Sequence, residues 1–267
     1  SRKYVRGIVM NILIKELENL KKFKEYVSDI NKKISPIVLS GLSSVGKIQL
    51  LEATKELADR NICIVTYNEL QAKKIYKDLK YFSGNVVYFP KREIASYDYV
   101  AESKDLPYER IETLNKIFEQ EKFAKKNENR LIVITTIEAM MQKMISKEEV
   151  YQALLEFKVG KCFNLEELKQ SLIHLGYERA DIVDGKGQFS VRGGILDIGT
   201  TNTQGVRIEF WGDEVDSIRS FSITSQRSNK MIEEARIYPS HELIVTKNID
   251  EICKQIEAKK ENASEEN

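Results

Sequence analysis

The chain contains 267 residues and carries a net charge of +1, from 42 Lys and Arg side chains against 41 Asp and Glu side chains. Hydrophobic residues make up 42% of the sequence and charged residues 31%, a balance typical of a globular protein with one large or two small domains. General electrostatic binding of nucleic acid requires a stronger basic excess, so any DNA contact would depend on a local patch.

The cysteine and histidine content argues against a zinc site. The three cysteines are far apart in the sequence and the chain has only two histidines, so reduced thiols in a cytoplasmic protein are the simpler interpretation. The apolar stretch near the N-terminus is too short to span a bilayer, and we therefore expect no membrane partner.

The first half of the chain alternates short apolar strands with helices of ten or more residues. A helical spacing of apolar residues covers residues 12–30, before Pro36. The predicted strands are PIVLS, NICIVTY, NVVYF and RLIVITT. The predicted helices end near Arg60, run from Glu69 to Phe82, and run from about Pro107 to Lys126. Apolar strands separated by helices indicate a parallel sheet covered on both faces, so we predict an α/β domain over residues 10–145, with Met10 as a plausible native start.

The sequence pattern changes after about residue 146. Asn164 caps a predicted helix that ends at Gly176, and beyond it polar and apolar residues alternate at period two between glycine turns. This pattern predicts a small antiparallel α+β domain over residues 146–238. Residues 239–267 are expected to return to the first domain, where a C-terminal helix over residues 248–259 would pack.

The segment GLSSVGKI, residues 41–48, has the glycine spacing and the lysine of a nucleotide phosphate loop. Gly41 and Gly46 would permit the tight turn, and Lys47 could reach the outer phosphates. Ile48 stands where a serine or threonine hydroxyl normally holds magnesium, and no apolar strand ends in an Asp–Glu pair that could take the metal. We predict a degenerate phosphate loop without catalytic residues or a metal site. Weak nucleotide binding without turnover stays open as an alternative.

Alternation in the strands QFSVR and VRIEFW separates a buried face from an exposed face. The side chains predicted to point inward are Phe189, Val191, Val206, Ile208 and Phe210. The side chains predicted to point outward are Arg192, Arg207, Glu209 and Trp211. Tryptophan and arginine are enriched at binding hot spots, which favours a binding face. The sequence gives equal weight to a structural alternative, in which the tryptophan covers the edge of a small core.

The same segments carry a family resemblance. GYERADIVDGKGQFSVRGGILDI and VRIEFWGDEVDSIRSFSITSQRS resemble the UvrA-binding domain shared by the excision-repair helicase UvrB and the bacterial transcription-repair coupling factors, the Mfd family. The resemblance is dense over residues 175–228. A phosphate-loop domain before it and YPSHEL after it keep the order found in both families.

The phosphate loop distinguishes the two families. In UvrB the loop ends in lysine–threonine, and a tyrosine-rich β-hairpin that clamps DNA follows the third strand. Here the loop ends in Lys47–Ile48, and although Tyr97 and Tyr99 are present, too few residues precede the next helix for such a hairpin. The sequence therefore resembles the N-terminal UvrB-like module of the Mfd family, which has lost ATP hydrolysis.

This resemblance implies a non-catalytic module that recruits UvrA to lesions where RNA polymerase has stalled. Arg192, Arg207 and Trp211 match family positions that contact UvrA, although the aromatic is usually phenylalanine, and Glu209 is expected to tune the charge of the same patch. No cofactor is implied for this chain. ATP and magnesium, RNA polymerase and DNA would be bound by other domains of a full-length protein, and a C-terminal domain would cover the UvrA-binding face.

Two other hypotheses remain at this stage. One is a truncated UvrB-like ATPase that loads onto damaged DNA. The other is a DNA-binding module that acts through the lysine-rich helix at residues 15–24, although such charge alternation is more typical of a solvated helix face.

Overall fold

The computed structural model describes residues 14–58, 60–92, 105–123 and 130–242, together with the single positions 244, 253 and 257. The chain divides into two compact units, Ser1–Lys143 and Met144–Asn267. No helix in the described ranges is long and apolar enough to cross a membrane. Tyr97, Tyr99 and most of the predicted C-terminal helix lie outside the described residues.

The first unit is built on a three-stranded parallel sheet. Its strands are β1 (Ile62–Thr66), β2 (Val86–Phe89) and β3 (Ile132–Thr136), which lie in the order β1-β3-β2. Its helices are α1 (Lys21–Asn31), α2 (Ser44–Leu57), α3 (Glu69–Phe82), α4 (Asp105–Phe123) and α5 (Ile137–Met141). Residues 14–18 are also helical. The predicted parallel α/β organisation is confirmed.

Helices α2 and α3 cover one face of this sheet. Ile132 and Ile134 of β3 are fully buried and pack with Ala72 and Leu79 of α3 and with Ile48 of α2. On the opposite face β1 is open, because Val65 remains exposed among the described residues. The expectation of a sheet covered on both faces therefore does not hold at β1 for the part of the chain that the structure describes.

The prediction of a strand at PIVLS, residues 36–40, is also wrong. These residues make no sheet pairing, and the side chain of Val38 is 87% exposed. The preference of Val, Ile and Leu for strands is expressed only where a neighbouring strand and a core accept them. Pro36 weakens the segment further because it has no backbone N–H to donate to a ladder.

The second unit contains a six-stranded sheet and a two-stranded sheet. Its helices are α6 (Lys147–Ala153) and α7 (Leu165–His174). Its strands are β4 (Leu155–Lys158), β5 (Glu178–Arg179), β6 (Gln188–Arg192), β7 (Ile195–Gly199), β8 (Gln204–Trp211), β9 (Glu214–Ser222), β10 (Ser228–Ile232) and β11 (Glu234–Ile237). The large sheet has the order β10-β9-β8-β7-β6-β5, and β11 pairs with β4. The predicted antiparallel meander is confirmed for β6 to β10, whereas β5 pairs with β6 in parallel.

Helix α7 belongs to the core on the inner side of the large sheet. Asn164 caps the helix by accepting hydrogen bonds from the N–H groups of Glu166 and Glu167, and Gly176 follows its end with φ +84°. Leu172 is fully buried in one cluster with Phe189 of β6 and Ile208 of β8, among other residues. The cap and the glycine stop predicted from the sequence are confirmed.

The segment at residues 239–267 can be followed only at its start. The N–H of Ser240 donates to the carbonyl of Leu175 at 2.9 Å, and its hydroxyl donates to the carbonyl of Gly176 at 2.6 Å. The described start of this segment therefore contacts the second unit, and nearly all of the rest lies outside the described residues.

Candidate functional site

The outer face of the large sheet carries the polar side chains of strands β6 to β9. Asp197 on β7 lies directly opposite Arg207 on β8, and Arg207 lies opposite Arg219 on β9. Phe189, Ile208 and Phe210 point inward and are buried, while Val191 and Val206 are partly buried against the same core. The predicted orientations of both strands are confirmed.

A buried carboxylate joins the two predicted arginines. Asp197 is 1% exposed, and its Oδ1 accepts a hydrogen bond from Arg207 Nε at 2.7 Å. Its Oδ2 accepts from Arg207 Nη2 at 2.9 Å and from Arg192 Nη2 at 2.7 Å. Because Asp197 carries one negative charge and contacts two guanidinium groups, the cluster keeps a net positive charge at the surface of the sheet.

Arg207 is held on several sides within the second unit. Its Nε and Nη2 donate to Asp197 as described above, and its Nη1 lies 3.4 Å from both the carbonyl oxygen of Gln226 and the hydroxyl of Ser228. The guanidinium also lies over the ring of Phe221, 4.9 Å from the centroid, and only 15% of the side chain is exposed. The hydrogen bond with Asp197 raises the pKa of Arg207, against burial that lowers it, so this residue stays charged wherever the protein is folded.

One end of the outer face is covered by the protein itself. Phe221 is fully buried in a small cluster with Val183 and Ile223. Its ring occupies the space above Gly205, where any side chain would collide with it. The rest of the outer face is uncovered among the described residues, and we call it the open face, defined by Arg192, Glu209, Trp211, Arg219 and Met231.

Trp211 is the largest exposed group on the open face. It ends β8 just before Gly212, whose φ of +62° forms the turn into β9. Its side chain is 84% exposed. This exposure rules out the structural alternative from the sequence, because an indole that covered a core edge would be largely buried.

Glu209 is engaged within the sheet. Its Oε2 accepts a hydrogen bond from Ser217 Oγ at 3.0 Å and lies 3.6 Å from Arg219 Nη2. Arg192 reaches the open face from β6, with nearly half of its side chain exposed beyond the contact with Asp197. The four residues singled out in the sequence therefore share one face of one sheet.

Three residues of the outer face were missed in the sequence. Asp197 lies in the apolar segment ILDI, Arg219 lies in the strand after Trp211, and Met231 lies in the strand after that. The signal for Asp197 and Arg219 was available in the alternation, because the residues on either side of each in its strand point inward. The strand register that brings Asp197 between the two arginines could not be read from the pattern alone.

The phosphate-loop residues of the first unit are arranged differently. Gly41 has φ +76°, as a tight turn requires, but helix α2 already begins at Ser44. The N–H of Gly46 donates to Ser43 Oγ at 3.0 Å, and the N–H of Lys47 donates to the carbonyl of Ser43 at 2.9 Å. Two backbone donors that could have faced a phosphate are therefore used by the helix.

Ile48 is 6% exposed and packs in the core between α2, α3 and the sheet, whereas the neighbouring Lys47 is exposed. The side chain at the position of the magnesium-binding hydroxyl therefore points into an apolar interior.

Comparison with known proteins identifies the class of the second unit. Residues 155–243 match the model of the UvrB interaction domain, a range that includes every residue of the open face. The match lies within the second unit.

Sequence matches to known proteins extend over most of the chain. It is 31% identical over 227 residues to the transcription-repair-coupling factor of Bacillus subtilis strain 168, covering 84% of this chain and 18% of the relative. It is 30% identical over 252 residues to the transcription-repair-coupling factor of Staphylococcus haemolyticus, covering 93% of this chain and 20% of the relative. The resemblance noted in the sequence is confirmed, and the chain is related to the N-terminal module of the transcription-repair-coupling factors. It spans about a fifth of the length of these curated relatives.

Proposed function

We propose that this chain is a non-catalytic module of transcription-coupled repair that recruits UvrA through the open face of its second unit. The observation that carries the proposal is the exposed Trp211 beside two arginines joined by Asp197, on a domain that matches the UvrB interaction domain. The match supports a role in UvrA recruitment, and the geometry supplies candidate contact residues.

The chemistry of the open face suits a protein partner. Trp and Arg are the side chains most often found at hot spots, and a sheet presents them without a large loss of conformational entropy. Arg192 is tethered at one nitrogen by Asp197, so its other donors can point toward a partner in a fixed orientation. We assign Arg192, Arg207, Glu209 and Trp211 to the UvrA-binding face.

The first unit acts, in this proposal, as a degenerate phosphate-loop body without ATP hydrolysis. The cap formed by Ser43 and the buried Ile48 support this view, since both remove groups that a nucleotide and magnesium require. The alternative of a truncated UvrB-like ATPase has only the glycine spacing and Lys47 in its favour.

Further partners and boundaries belong to the same proposal. RNA polymerase and DNA would be bound by other domains of a longer protein, in which a C-terminal domain would cover the open face until the motor engages.

The three segments 10–145, 146–238 and 239–267 remain our proposed domain organisation, and the division of the chain between Lys143 and Met144 supports the first boundary.

The proposal is tested by calorimetric titration of the chain with its cognate UvrA. The Trp211→Ala variant is compared with Tyr67→Ala, an aromatic of the first unit that is 78% exposed and lies outside the matched domain. Removing a hot-spot aromatic typically costs at least about 2 kcal/mol, so Trp211→Ala should weaken binding by roughly 30-fold. Tyr67→Ala should bind as the wild-type chain does, and equal losses in both variants would contradict the proposal.

A further inference from the structure

The outer face contains a third arginine whose surroundings differ from those of Arg192 and Arg207. Arg219 lies at the centre of β9, opposite Arg207 on one side and Met231 of β10 on the other. Its side chain is 37% exposed, and the side chain of Met231 beside it is also exposed. The outward side chains of β9 and β10 therefore continue the open face beyond the four residues assigned above.

The hydrogen bonds of Arg219 are incomplete within the described part of the chain. Its nearest acidic oxygen, Glu209 Oε2, lies 3.6 Å from Nη2, which is longer than a hydrogen bond, and its Nε is buried without a hydrogen-bond partner there. Arg207 differs, because Asp197 accepts from its Nε and Nη2 and further acceptors lie near Nη1. Buried donors without partners cost free energy, and each one calls for a specific explanation.

The charges around Arg219 indicate what kind of group would accept hydrogen bonds from its guanidinium. Asp197 is occupied by Arg192 and Arg207, and Glu209 already accepts from Ser217. Arg207 and Arg219 are also directly opposite each other, an arrangement of like charges that is unfavourable in an isolated sheet. A carboxylate from outside the chain would relieve this repulsion and could accept hydrogen bonds from the Nη groups of the guanidinium, although the buried Nε lies out of its reach.

We propose that Arg219 is a further contact residue of the open face and binds a carboxylate of the partner protein, with Met231 as its apolar neighbour. This inference rests on the proposed function, because UvrA is taken as the partner. It extends the contact surface from β6–β8 to β9 and β10. Within this face Arg192 and Arg219 offer the more exposed guanidinium groups, while Arg207 is held mainly by Asp197.

The test is titration of UvrA with the Arg219→Gln and Arg219→Glu variants of the whole chain. Loss of a charge-assisted hydrogen bond should weaken binding about tenfold in Arg219→Gln. Arg219→Glu should bind more weakly still, because two carboxylates would then face each other. The matched control is Arg179→Gln, since Arg179 lies opposite the inward-pointing Phe189 of the same sheet and should leave affinity within about twofold.

Each outcome has a defined meaning. Unchanged binding by Arg219→Gln would overturn this inference while leaving the proposed function intact, because the wild-type chain would still bind. Equal affinity of the Gln and Glu variants would overturn the assignment of a carboxylate. No binding by the wild-type chain would contradict the proposed function itself. Thermal unfolding checks the fold of each variant. If the Gln or Glu variant misfolds, Arg219→Lys replaces it. This variant keeps the charge but not the planar fork, so it should bind UvrA more weakly than the wild-type chain, and unchanged affinity would overturn the inference.

Discussion

The phosphate-loop segment of the first unit and the open face of the second unit use their polar groups in opposite ways. In residues 41–48 the hydroxyl of Ser43 and the N–H groups of Gly46 and Lys47 form the start of helix α2. On the outer face of the large sheet, Asp197 is buried and holds two guanidinium groups at the surface. The loop segment uses its polar groups for hydrogen bonds within the helix, while the sheet holds the charged Arg192 side chain toward solvent.

The two regions differ in what their buried residues do for the surface. Ile48, at the position where a phosphate loop carries its metal-binding hydroxyl, is part of a core between α2, α3 and the sheet. A buried carboxylate is instead costly unless both of its oxygens are paired, as they are in Asp197 with the largely buried Arg207 and the half-exposed Arg192. We infer that the second arrangement is kept for a purpose beyond stability.

The largest expected effect on stability comes from Asp197→Asn. The amide keeps the size of the side chain but removes the charge that Arg207 pairs with, and removing one member of a buried pair costs about 3 kcal/mol. Chemical denaturation monitored by circular dichroism measures the free energy of unfolding.

The same variant should also weaken UvrA binding, through Arg192. The matched test is a double-mutant cycle, in which Asp197→Asn is made in the wild-type chain and in Arg192→Ala. Its effect on affinity should be smaller in the second background. Equal effects in both backgrounds would show that Asp197 does not act through Arg192.

Ile48→Thr is the next strongest test and addresses the first unit. Restoring the hydroxyl places a polar group in an apolar core, so the free energy of unfolding should fall by about 2 kcal/mol. ATP turnover should not appear, because Ser43 still occupies the N–H of Gly46. A phosphate-release assay with magnesium checks this, and turnover in the Ile48→Thr chain would favour the UvrB-like ATPase alternative.

The smallest effect is expected for Lys47→Ala. Lys47 is exposed, so its removal should change the free energy of unfolding by no more than about 0.5 kcal/mol and should leave UvrA binding unchanged. Magnesium-dependent ATP hydrolysis by the wild-type chain that disappears in Lys47→Ala would instead assign the active role to the phosphate loop.

Local signals predicted much of the fold. Helix α3 was predicted with the bounds Glu69–Phe82 that the structure has, and in the structure Asn68 caps it by accepting a hydrogen bond from the N–H of Gln71. The strands β6 to β9 and the outward positions of Arg192, Arg207 and Trp211 followed from period-two alternation.

The remaining features depend on contacts between distant segments. The segment PIVLS has the composition of a strand but no neighbour among the described residues, and composition cannot supply one. The pairing of β4 with β11 joins residues 155–158 to residues 234–237, a separation that no local pattern encodes. The position of Asp197 between two arginines likewise requires the register of three strands.

The central claim is that the chain binds its partner through the open face of the second unit and not through the phosphate loop. Calorimetric titration of UvrA with the Arg192→Ala/Trp211→Ala double mutant, beside the wild-type chain, tests it most directly. Two hot-spot truncations should together cost about 4 kcal/mol, so a micromolar complex should become undetectable while thermal unfolding shows an intact fold. Wild-type affinity in the double mutant would contradict the account and place the interface elsewhere.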